Sequence, residues 1–314
     1  PDPGKTVIEA RNQDFKGSYL TLEFSEKEVK KVKALLLRQE EDFDIENKTR
    51  ITGPYQSVQK IEVPNDLSPQ NKWVMFEGPV LENDLIAYRF YMDSRHRYDI
   101  YAKSVSDLVL DTVSWNYHNI MDWGSDVLKV GNSLGMGSPA IWYQDSVYTL
   151  SKHASKTVEI TEQTHDFANV RTTFKELDIA GHKFDLIHDW SLSAGEIWSE
   201  VTLEVINGTL PEGMHFATGI VKHLEACETQ HHNRQLAAFT WGEQSFHHED
   251  LGMAVVIPEH FLPEKVRDAD SHTFIMRNAN RKAHYRFLAG WERDLTMAKD
   301  LESFRELVLR ACID

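Results

Sequence analysis

Long apolar segments are missing from this sequence of 314 residues, and so is an excess of positive charge. No run of about eighteen apolar residues occurs, so we expect no membrane span. The 34 lysines and arginines are outnumbered by 49 aspartates and glutamates, which gives a formal net charge of −15. A nucleic-acid surface would need a basic stripe, so we expect no nucleic-acid partner. An acidic ligand would have to be bound by a local cluster of arginines and lysines.

Cysteine is also scarce, since the chain contains only Cys227 and Cys312. This number excludes a disulfide-rich scaffold, and neither cysteine has the neighbours of a zinc-finger site. A single disulfide and two free thiols both agree with the sequence. The first residues, PDPGKTVIEA, do not have the form of a signal peptide, although a cleaved one could have preceded them.

Helical periodicity is confined to two short segments. A capping-box pattern at Ser25–Glu28 predicts a short helix over 26–34, and an apolar stripe that begins at Leu301 predicts a helix at the C-terminal end. Two strand-like runs, at 6–10 and 19–24, precede the first of these helices.

Strand-like segments recur at close spacing from Lys72 onwards. In Glu200–Val205 apolar and polar residues alternate, as they do in an antiparallel strand with one exposed face. No internal repeat or change of composition marks a domain boundary. The sequence therefore predicts a mainly β fold, a sandwich of large antiparallel sheets in a single domain over 1–314, with less regular strands and loops over 1–70.

The segment Leu85–Arg95 carries the first candidate site residues. If it is extended, Arg89, Tyr91, Asp93 and Arg95 lie on one face. Arg89 could then bind a carboxylate with two hydrogen bonds, and Tyr91 could donate or accept a proton. The alternative is an ion pair between Arg89 and Asp93 on a solvated sheet face.

The second candidate is His118, in a loop between Trp115 and Trp123. Asp122 is close enough in sequence to hydrogen-bond the imidazole, which would make His118 a general acid or base. The alternative is a histidine that satisfies loop backbone groups. The tryptophans, with Trp142, could also stack on the apolar face of a sugar ring.

Glycines are concentrated in the segment that follows. Gly131–Gly135 has the GxSxG pattern of serine hydrolases around Ser133, but that motif needs a helix after it. Gly137 and Pro139 oppose such a helix. We therefore interpret these glycines as a turn, or as positions where backbone amides approach a ligand.

Histidine supplies the remaining candidates. If Met214–His223 is extended, His215 and His223 share a face with small residues between them, as a floor for a sugar ring or simply for close sheet packing. The pairs His231-His232 and His247-His248 cannot chelate a metal alone, because neighbouring strand residues face opposite sides. A site assembled from distant His and Asp residues stays compatible with the sequence, so a divalent metal cofactor is an open alternative.

A set of short motifs between Glu77 and Ala254 resembles a known family. The motifs are Glu77-Gly78-Pro79, Glu82-Asn83-Asp84, Ala87-Tyr88-Arg89, Tyr91, Asp93, Arg95, Asp99-Ile100-Tyr101, Trp123-Gly124, Asp126, Leu128-Lys129-Val130-Gly131, Ser133, Gly135, Gly137-Ser138, Thr218–His223 and Asp250–Ala254. Together they are similar to a bacterial family known as domain of unknown function 4861. The resemblance extends from about Lys72 onwards and fits the first seventy residues less well.

The resemblance implies a fold and a function. It implies a β-sandwich of the galactose-mutarotase type (a supersandwich) in a periplasmic or secreted protein of polysaccharide-degrading bacteria. Some members resemble an oligosaccharide dehydratase that acts on terminal uronic acids during ulvan breakdown. The expected partner is therefore an acidic oligosaccharide. The oligomeric state is left open.

β-Elimination on a uronic acid needs three groups: a cation at the C6 carboxylate, a base at C5 and an acid at O4. We expect Arg89, helped by Arg95 or Lys129, to be the cation. His118 or His223 is the expected base and Tyr91 the expected acid. If O4 is a hydroxyl the enzyme is a dehydratase, and if O4 is a glycosidic oxygen it is a lyase. The expected substrate-binding residues are Glu82, Asn83, Arg95, Trp123, Lys129, Trp142, His215 and Lys222.

Three other functions are compatible with the same residues. An aldose epimerase would use Glu82 as base and His118 as acid. A non-catalytic sugar-binding protein would use the tryptophans as a stacking platform. A glycoside hydrolase would use two carboxylates, whose separation a sequence does not reveal.

Overall fold

The computed structural model describes residues 5–8, 20–23, 31–46 and 49–313. The chain divides into two units, Pro1–Lys30 and Lys31–Asp314. The first unit contains strands β1 (Lys5–Ile8) and β2 (Leu20–Glu23), which pair antiparallel. These strands confirm the two strand-like runs of the sequence. A single domain over 1–314 stays a prediction.

The second unit consists mainly of strands. In chain order these are β3 (Val32–Leu35), β4 (Leu37–Gln39), β5 (Tyr55–Ser57), β6 (Lys60–Val63), β7 (Val80–Asn83), β8 (Ile86–Phe90), β9 (Tyr98–Lys103), β10 (Gly124–Asp126), β11 (Ala140–Tyr143), β12 (Ser146–Tyr148), β13 (Ser155–Gln163), β14 (Phe167–Ile179), β15 (His182–Ser193), β16 (Trp198–Ile206), β17 (His215–Val221), β18 (Glu228–His232), β19 (Gln235–Glu243), β20 (Asp250–Pro258), β21 (Pro263–Val266), β22 (Ser271–Met276) and β23 (Lys282–Trp291). The α-helix α1 (Leu301–Ala311) follows, and 3-10 turns lie at Met75–Glu77, Leu110–Thr112 and Glu259–Phe261.

Three larger sheets form the body of the second unit. A nine-stranded sheet has the order β18-β19-β20-β23-β16-β15-β14-β13-β6, and two five-stranded sheets have the orders β10-β9-β8-β7-β3 and β12-β11-β17-β22-β21. Edge-to-face packing of Tyr88 from β8 on Phe287 from β23, with ring centroids 4.9 Å apart, joins two of these sheets across the main core. Face-to-face packing of antiparallel sheets is the sandwich that the sequence predicted.

The alternation of apolar and polar residues decides which face of each strand is buried. In β16 the side chains of Val201, Leu203 and Val205 are buried, whereas Glu200, which precedes them, is exposed. This is the burial pattern that the sequence predicted for Glu200–Val205.

Helix α1 covers part of the opposite face of the nine-stranded sheet. Its N-cap, Asp300, accepts a hydrogen bond from the Ser303 backbone N–H at 2.8 Å, and Ser303 completes a capping box. Phe304 and Val308 are buried in a smaller core against the sheet. The prediction of a C-terminal helix is confirmed.

The prediction of a helix over 26–34 was wrong for those of its residues that the structure describes. Residues 26–30 lie outside the described residues, but Val32–Leu35 is strand β3, which pairs antiparallel with β7. A capping box is a local signal of about 1 kcal/mol. Pairing with β7 and burial of Val32 and Ala34 against the main core outweigh it.

The cysteines and the helices settle two further points. Cys227 and Cys312 are both unpaired, so the alternative of two free thiols holds. Among the described residues, no helix has the length and apolar character to cross a membrane.

The contact between α1 and β20 provides a test of this packing. An alanine methyl at Gly252 would lie 2.6 Å from the ring of Phe304. We expect Gly252→Ala to lower the free energy of unfolding by about 1–3 kcal/mol in urea titrations, because the helix must shift to accept the extra methyl group. Gly208→Ala is the control, since nothing lies within 4 Å of its added methyl group. Equal stabilities of the two variants would contradict the described packing.

Candidate functional site

A buried arginine lies at the centre of the candidate site. Arg89 on β8 has a fully enclosed side chain, and its Nη2 lies 2.5 Å from Asp99 Oδ2 and 2.7 Å from Asp126 Oδ2. The same nitrogen donates to the Tyr91 hydroxyl at 2.5 Å, and Nη1 donates to the Tyr117 hydroxyl at 3.2 Å. We call these five residues the Arg89 cluster.

Strand register brings the members of the Arg89 cluster together. Arg89 on β8 stands directly opposite Asp99 on β9, and β9 in turn pairs with β10, which ends at Asp126. The face of the sheet that holds them is covered by Phe76 and Tyr117, in a small core of its own. The alternative of a solvated sheet face is therefore wrong. The face is buried because the 3-10 turn at Met75–Glu77 and the loop before β10 pack over it.

The charges of the cluster are strongly coupled. Burial alone would disfavour the Arg89 cation, but the neighbouring tyrosines and the carboxyls of Asp99 and Asp126 outweigh burial and raise the pKa of Arg89. Burial, followed by repulsion from Asp99, raises the pKa of Asp126 well above its usual range. A proton on Asp126 relieves the repulsion between two carboxyl groups that share one guanidinium nitrogen.

His118 connects this buried cluster to solvent. Its side chain is 55% exposed, and its Nδ1 lies 3.4 Å from Asp126 Oδ2. Burial and then the charge of Arg89 lower the pKa of His118, so the imidazole is neutral near neutral pH. A neutral imidazole oriented by a carboxyl group is suited to accept a proton from a ligand.

The predicted partner of His118 was wrong. Asp126, not Asp122, lies beside the imidazole, and Asp122 is exposed. The reason is a backbone hydrogen bond of 2.9 Å from Asp126 N–H to Tyr117 C=O, which places the end of β10 next to residue 118. Four-residue spacing in a loop does not imply proximity, because the chain turns at 119–124.

Arg95 is the cation that reaches solvent. Its guanidinium carbon lies 3.5 Å from the centroid of the Tyr91 ring, and its side chain is 26% exposed. Nη2 contacts Asp93 at 2.5 Å and Glu77 at 3.1 Å. Within the described residues Nη1 has no hydrogen-bond partner, so it can still donate to an anion.

The alternative ion pair between Arg89 and Asp93 was also wrong. Asp93 pairs with Arg95, and its Oδ1 accepts the Arg95 backbone N–H at 2.9 Å. Strand β8 ends at Phe90, so the alternation assumed for Leu85–Arg95 does not continue to its end. A turn closed by the Asp93 side chain replaces it.

The loop between β19 and β20 adds residues that sequence reasoning missed as part of this site. Phe246 N–H donates to Val127 C=O at 2.7 Å, and the rings of Phe246 and His118 lie 5.8 Å apart. His247 Nε2 lies 2.8 Å from Ser125 Oγ. The sequence singled out His247 as a metal candidate only. Nothing local indicated that it would meet residues some 120 positions earlier.

Glu82 and Asn83 do not face a ligand. Both are fully buried on β7. Glu82 pairs with Lys103 Nζ at 2.9 Å and accepts two backbone N–H groups, whereas Asn83 Nδ2 donates to the backbone of Ser193 and Glu196. Their expected contact with substrate disagrees with this geometry. The same burial removes Glu82 as the base of an aldose epimerase.

The predicted face of His215 and His223 is incomplete. Strand β17 ends at Val221, so His223 lies beyond it and is exposed, with Nε2 2.8 Å from Lys129 C=O. Lys222 pairs with Glu225 at 2.9 Å. No contact joins His223, His215 or Lys129 to the Arg89 cluster in the described part of the chain.

The tryptophans are divided between two places. Trp115 and Trp123 pack at the edge of the core that holds Arg89, and the rings of Trp123 and Tyr101 lie 6.3 Å apart. Trp142 packs in another small core, against Leu134 and Ile275. A single platform of all three tryptophans is therefore not formed.

Ser133 is not placed as a nucleophile. Its buried hydroxyl donates to Val130 C=O at 2.6 Å and accepts from Gly135 N–H at 2.9 Å. The next regular element is strand β11, not a helix. The interpretation of this segment as a turn agrees with the structure. Among the residues that the structure describes, no group of three or more His, Cys, Asp or Glu side chains is arranged to hold a metal ion.

Replacing Arg89 tests the electrostatics of the cluster. We expect Arg89→Met to lower the free energy of unfolding by about 3–5 kcal/mol, because two carboxyl groups lose their buried cation. The pKa of Asp126 then rises further above its unfolded value. Stability from such a group is present at low pH and is lost as the pH rises through the folded pKa, so the loss should be larger near pH 8 than near pH 5.

Urea titrations at both pH values provide the measurement. Arg171→Met is the control, since Arg171 forms a partly exposed pair with Asp189 at 2.8 Å. Its loss should stay at about 1 kcal/mol or below. A similar loss at both sites, or a loss that shrinks as the pH rises, would contradict the assignment.

Comparison with known proteins agrees with the motifs of the sequence. A comparison with curated proteins gave no match. A family model described as a domain of unknown function (DUF4861) matches residues 13–311, which include every residue of the Arg89 cluster. Because this match covers nearly the whole sequence, the chain belongs to the DUF4861 family.

Proposed function

We propose that the protein is a carbon–oxygen lyase that removes water from the terminal uronic acid of an acidic oligosaccharide. The product would carry a C4–C5 unsaturated uronyl group. The observation that supports this proposal most is the exposed imidazole of His118, whose Nδ1 lies 3.4 Å from the buried Asp126 carboxyl group. Arg95, a partly exposed cation, contacts the Arg89 cluster through the ring of Tyr91.

Neutralising the substrate carboxylate is the first requirement of the reaction. The proton at C5 becomes acidic only when charge on the C6 carboxylate is offset. In the proposal Arg95 does this through Nη1, while its other nitrogens are held by Asp93 and Glu77. Arg89 was expected in this role, but its guanidinium is enclosed and its Nη2 already pairs with Asp99 and Asp126. It acts as a positioning residue for Asp126.

Proton transfer is assigned to His118. The imidazole takes the C5 proton, the C4–C5 double bond forms, and the C4–O4 bond breaks. The imidazolium returns the same proton to the departing oxygen, which leaves as water, so atoms and charge balance. Tyr91 was expected to be the acid. Its hydroxyl donates to Asp99 at 2.7 Å, and burial raises its pKa, so we assign it to supporting Arg95.

The proposed substrate and location come from the family resemblance. Some family members resemble an oligosaccharide dehydratase of ulvan breakdown, and we propose a periplasmic or secreted site of action. A lyase that cuts a glycosidic bond at O4 would use the same groups. The two enzymes differ in their products, since one releases water and the other a shortened chain.

A panel of acidic oligosaccharides tests the reaction. Oligomers of ulvan, alginate, pectin and glycosaminoglycans would be incubated with the protein, with and without chelator. We expect ultraviolet absorbance from an unsaturated uronyl group together with a mass loss of one water. His118→Ala should reduce the rate by about a hundredfold or more, the usual contribution of a general base.

The matched control is His165→Ala. His165 is also a histidine beside an aspartate, with Nδ1 3.6 Å from Asp166, but it is exposed at a turn between β13 and β14. The activity of His165→Ala should equal that of the unmodified protein. A cut chain as product would assign the lyase. Activity that survives in His118→Ala would remove the mechanism.

The pH profile tests the protonation state of the base. Because burial and Arg89 lower the pKa of His118 from 6.5, the imidazole stays unprotonated at neutral pH. Acidification through the folded pKa protonates it and removes the base. We therefore expect kcat/KM to fall in acid with a midpoint below about 6.5, in protein shown by circular dichroism to be folded. A midpoint above that value would contradict the assignment of His118.

A further inference from the structure

A cleft beside Arg97 is lined by none of the residues proposed for elimination. Its volume is about 320 Å³, at the lower end of the range of ligand sites. The side chains that the inference uses are Arg97, Asn132, Trp142, Arg267 and Asp268. None of them belongs to the Arg89 cluster.

Arg97 is buried without a paired carboxylate. It is 5% exposed, its Nε donates to Ser133 C=O, and its Nη1 donates to His96 C=O at 3.3 Å. Within the described residues, no carboxylate oxygen lies within 4 Å of the Arg97 nitrogens, the distance that defines an ion pair. The Nη2 of Arg97 has no hydrogen-bond partner there either. Buried arginines are normally paired, because an isolated buried charge is costly.

The contrast with Arg89 is informative. Arg89 is surrounded by carboxyl and phenol groups that keep it charged. For Arg97, burial dominates over the distant charge of Asp268 and lowers the pKa to about 10. Arg97 is therefore still a cation near neutral pH, but one whose charge the protein itself compensates incompletely.

The aspartates of the cleft are already engaged or exposed. Asp268 Oδ2 accepts from Thr273 Oγ1 at 2.6 Å, and its Oδ1 accepts from Asp270 N–H at 3.1 Å. Asp145 and Asp270 are exposed to solvent. Exposed carboxylates are screened by water and salt, so they offset a buried cation weakly.

We propose that this cleft binds a saccharide unit that carries an oxyanion, either a carboxylate or a sulfate. The free Nη2 of Arg97 would donate to the oxyanion, and the exposed Arg267 would add positive charge at the entrance. Trp142 is 9% exposed where it lines the cleft, and this apolar wall can pack against a sugar ring. This function needs no chemistry at His118 and goes beyond the proposed elimination.

Binding of small sugar acids tests the inference. Glucuronate and glucose 6-sulfate would be titrated by calorimetry, beside glucuronamide and glucose as uncharged matches. We expect at least one of the anions to bind about tenfold or more tightly than its uncharged match, as expected for one charge-assisted hydrogen bond to arginine. The two anions together show whether carboxylate or sulfate is preferred.

Variants locate the binding. Arg97→Gln should lose this preference for the anion, and Arg97→Lys should keep part of it, because lysine retains the charge but not the planar fork. Trp142→Ala should weaken binding of anions and uncharged sugars alike. Arg310→Gln, an exposed arginine on α1, is the control for the loss of one charge and should bind as the unmodified protein does.

The outcome can be separated from that of the proposed elimination. Arg95→Gln should keep anion binding in the cleft beside Arg97, even if it loses elimination activity. Without ligand, Arg97→Gln should unfold at the same temperature as the unmodified protein or higher, because an uncompensated charge is removed. Glucuronate or glucose 6-sulfate should raise the unfolding temperature of the unmodified protein but not of Arg97→Gln.

Equal binding of anions and their uncharged matches would overturn the proposal. So would unchanged anion binding in Arg97→Gln, or its loss in Arg95→Gln alone. If Arg97→Gln does not fold, the preference of the unmodified protein for the anions and the weakening in Trp142→Ala decide the question.

Discussion

The contact of Arg89 with Asp99 and Asp126 is the interaction on which the candidate site depends. Three neighbouring strands each contribute one of its charges, so the sheet must be in register for the charges to balance. Placing one cation and two carboxyl groups out of water is costly, and hydrogen bonds with the Tyr91 and Tyr117 hydroxyls offset part of that cost. One oxygen, Asp126 Oδ2, contacts both Arg89, at 2.7 Å, and His118, at 3.4 Å.

Three arginines near the hairpin of β8 and β9 differ in burial and in their contacts. Arg89 is enclosed and maintains geometry, whereas Arg95 lies flat on Tyr91 with one nitrogen available to solvent. Arg97 is buried yet lacks a carboxylate partner within the described residues. Residue type and spacing would have made these three arginines equivalent. Burial and partners distinguish the scaffold from the groups suited to meet a ligand.

Much of the fold could be predicted from the sequence, because alternation and a helical stripe are local properties. The strand Glu200–Val205 and helix α1 are examples. The site was predicted less well. Arg95 and His118 were among the candidates, but the pairing of His118 with Asp126 depends on where β10 ends, and the contact of His247 with Ser125 depends on a distant loop. The expected helix over 26–34 failed over β3 because sheet pairing is a long-range effect.

The loop that carries Phe246 and His247 contacts a segment that is far away in the sequence. Its backbone hydrogen bond to Val127 and its contact with Ser125 join a late segment of the polypeptide to one made more than a hundred residues earlier. During synthesis, the hairpin of β8 and β9 can emerge and pair long before this loop exists. The contacts of this loop with Ser125 and Val127 can therefore form only late in folding, after the segment between β19 and β20 has been made.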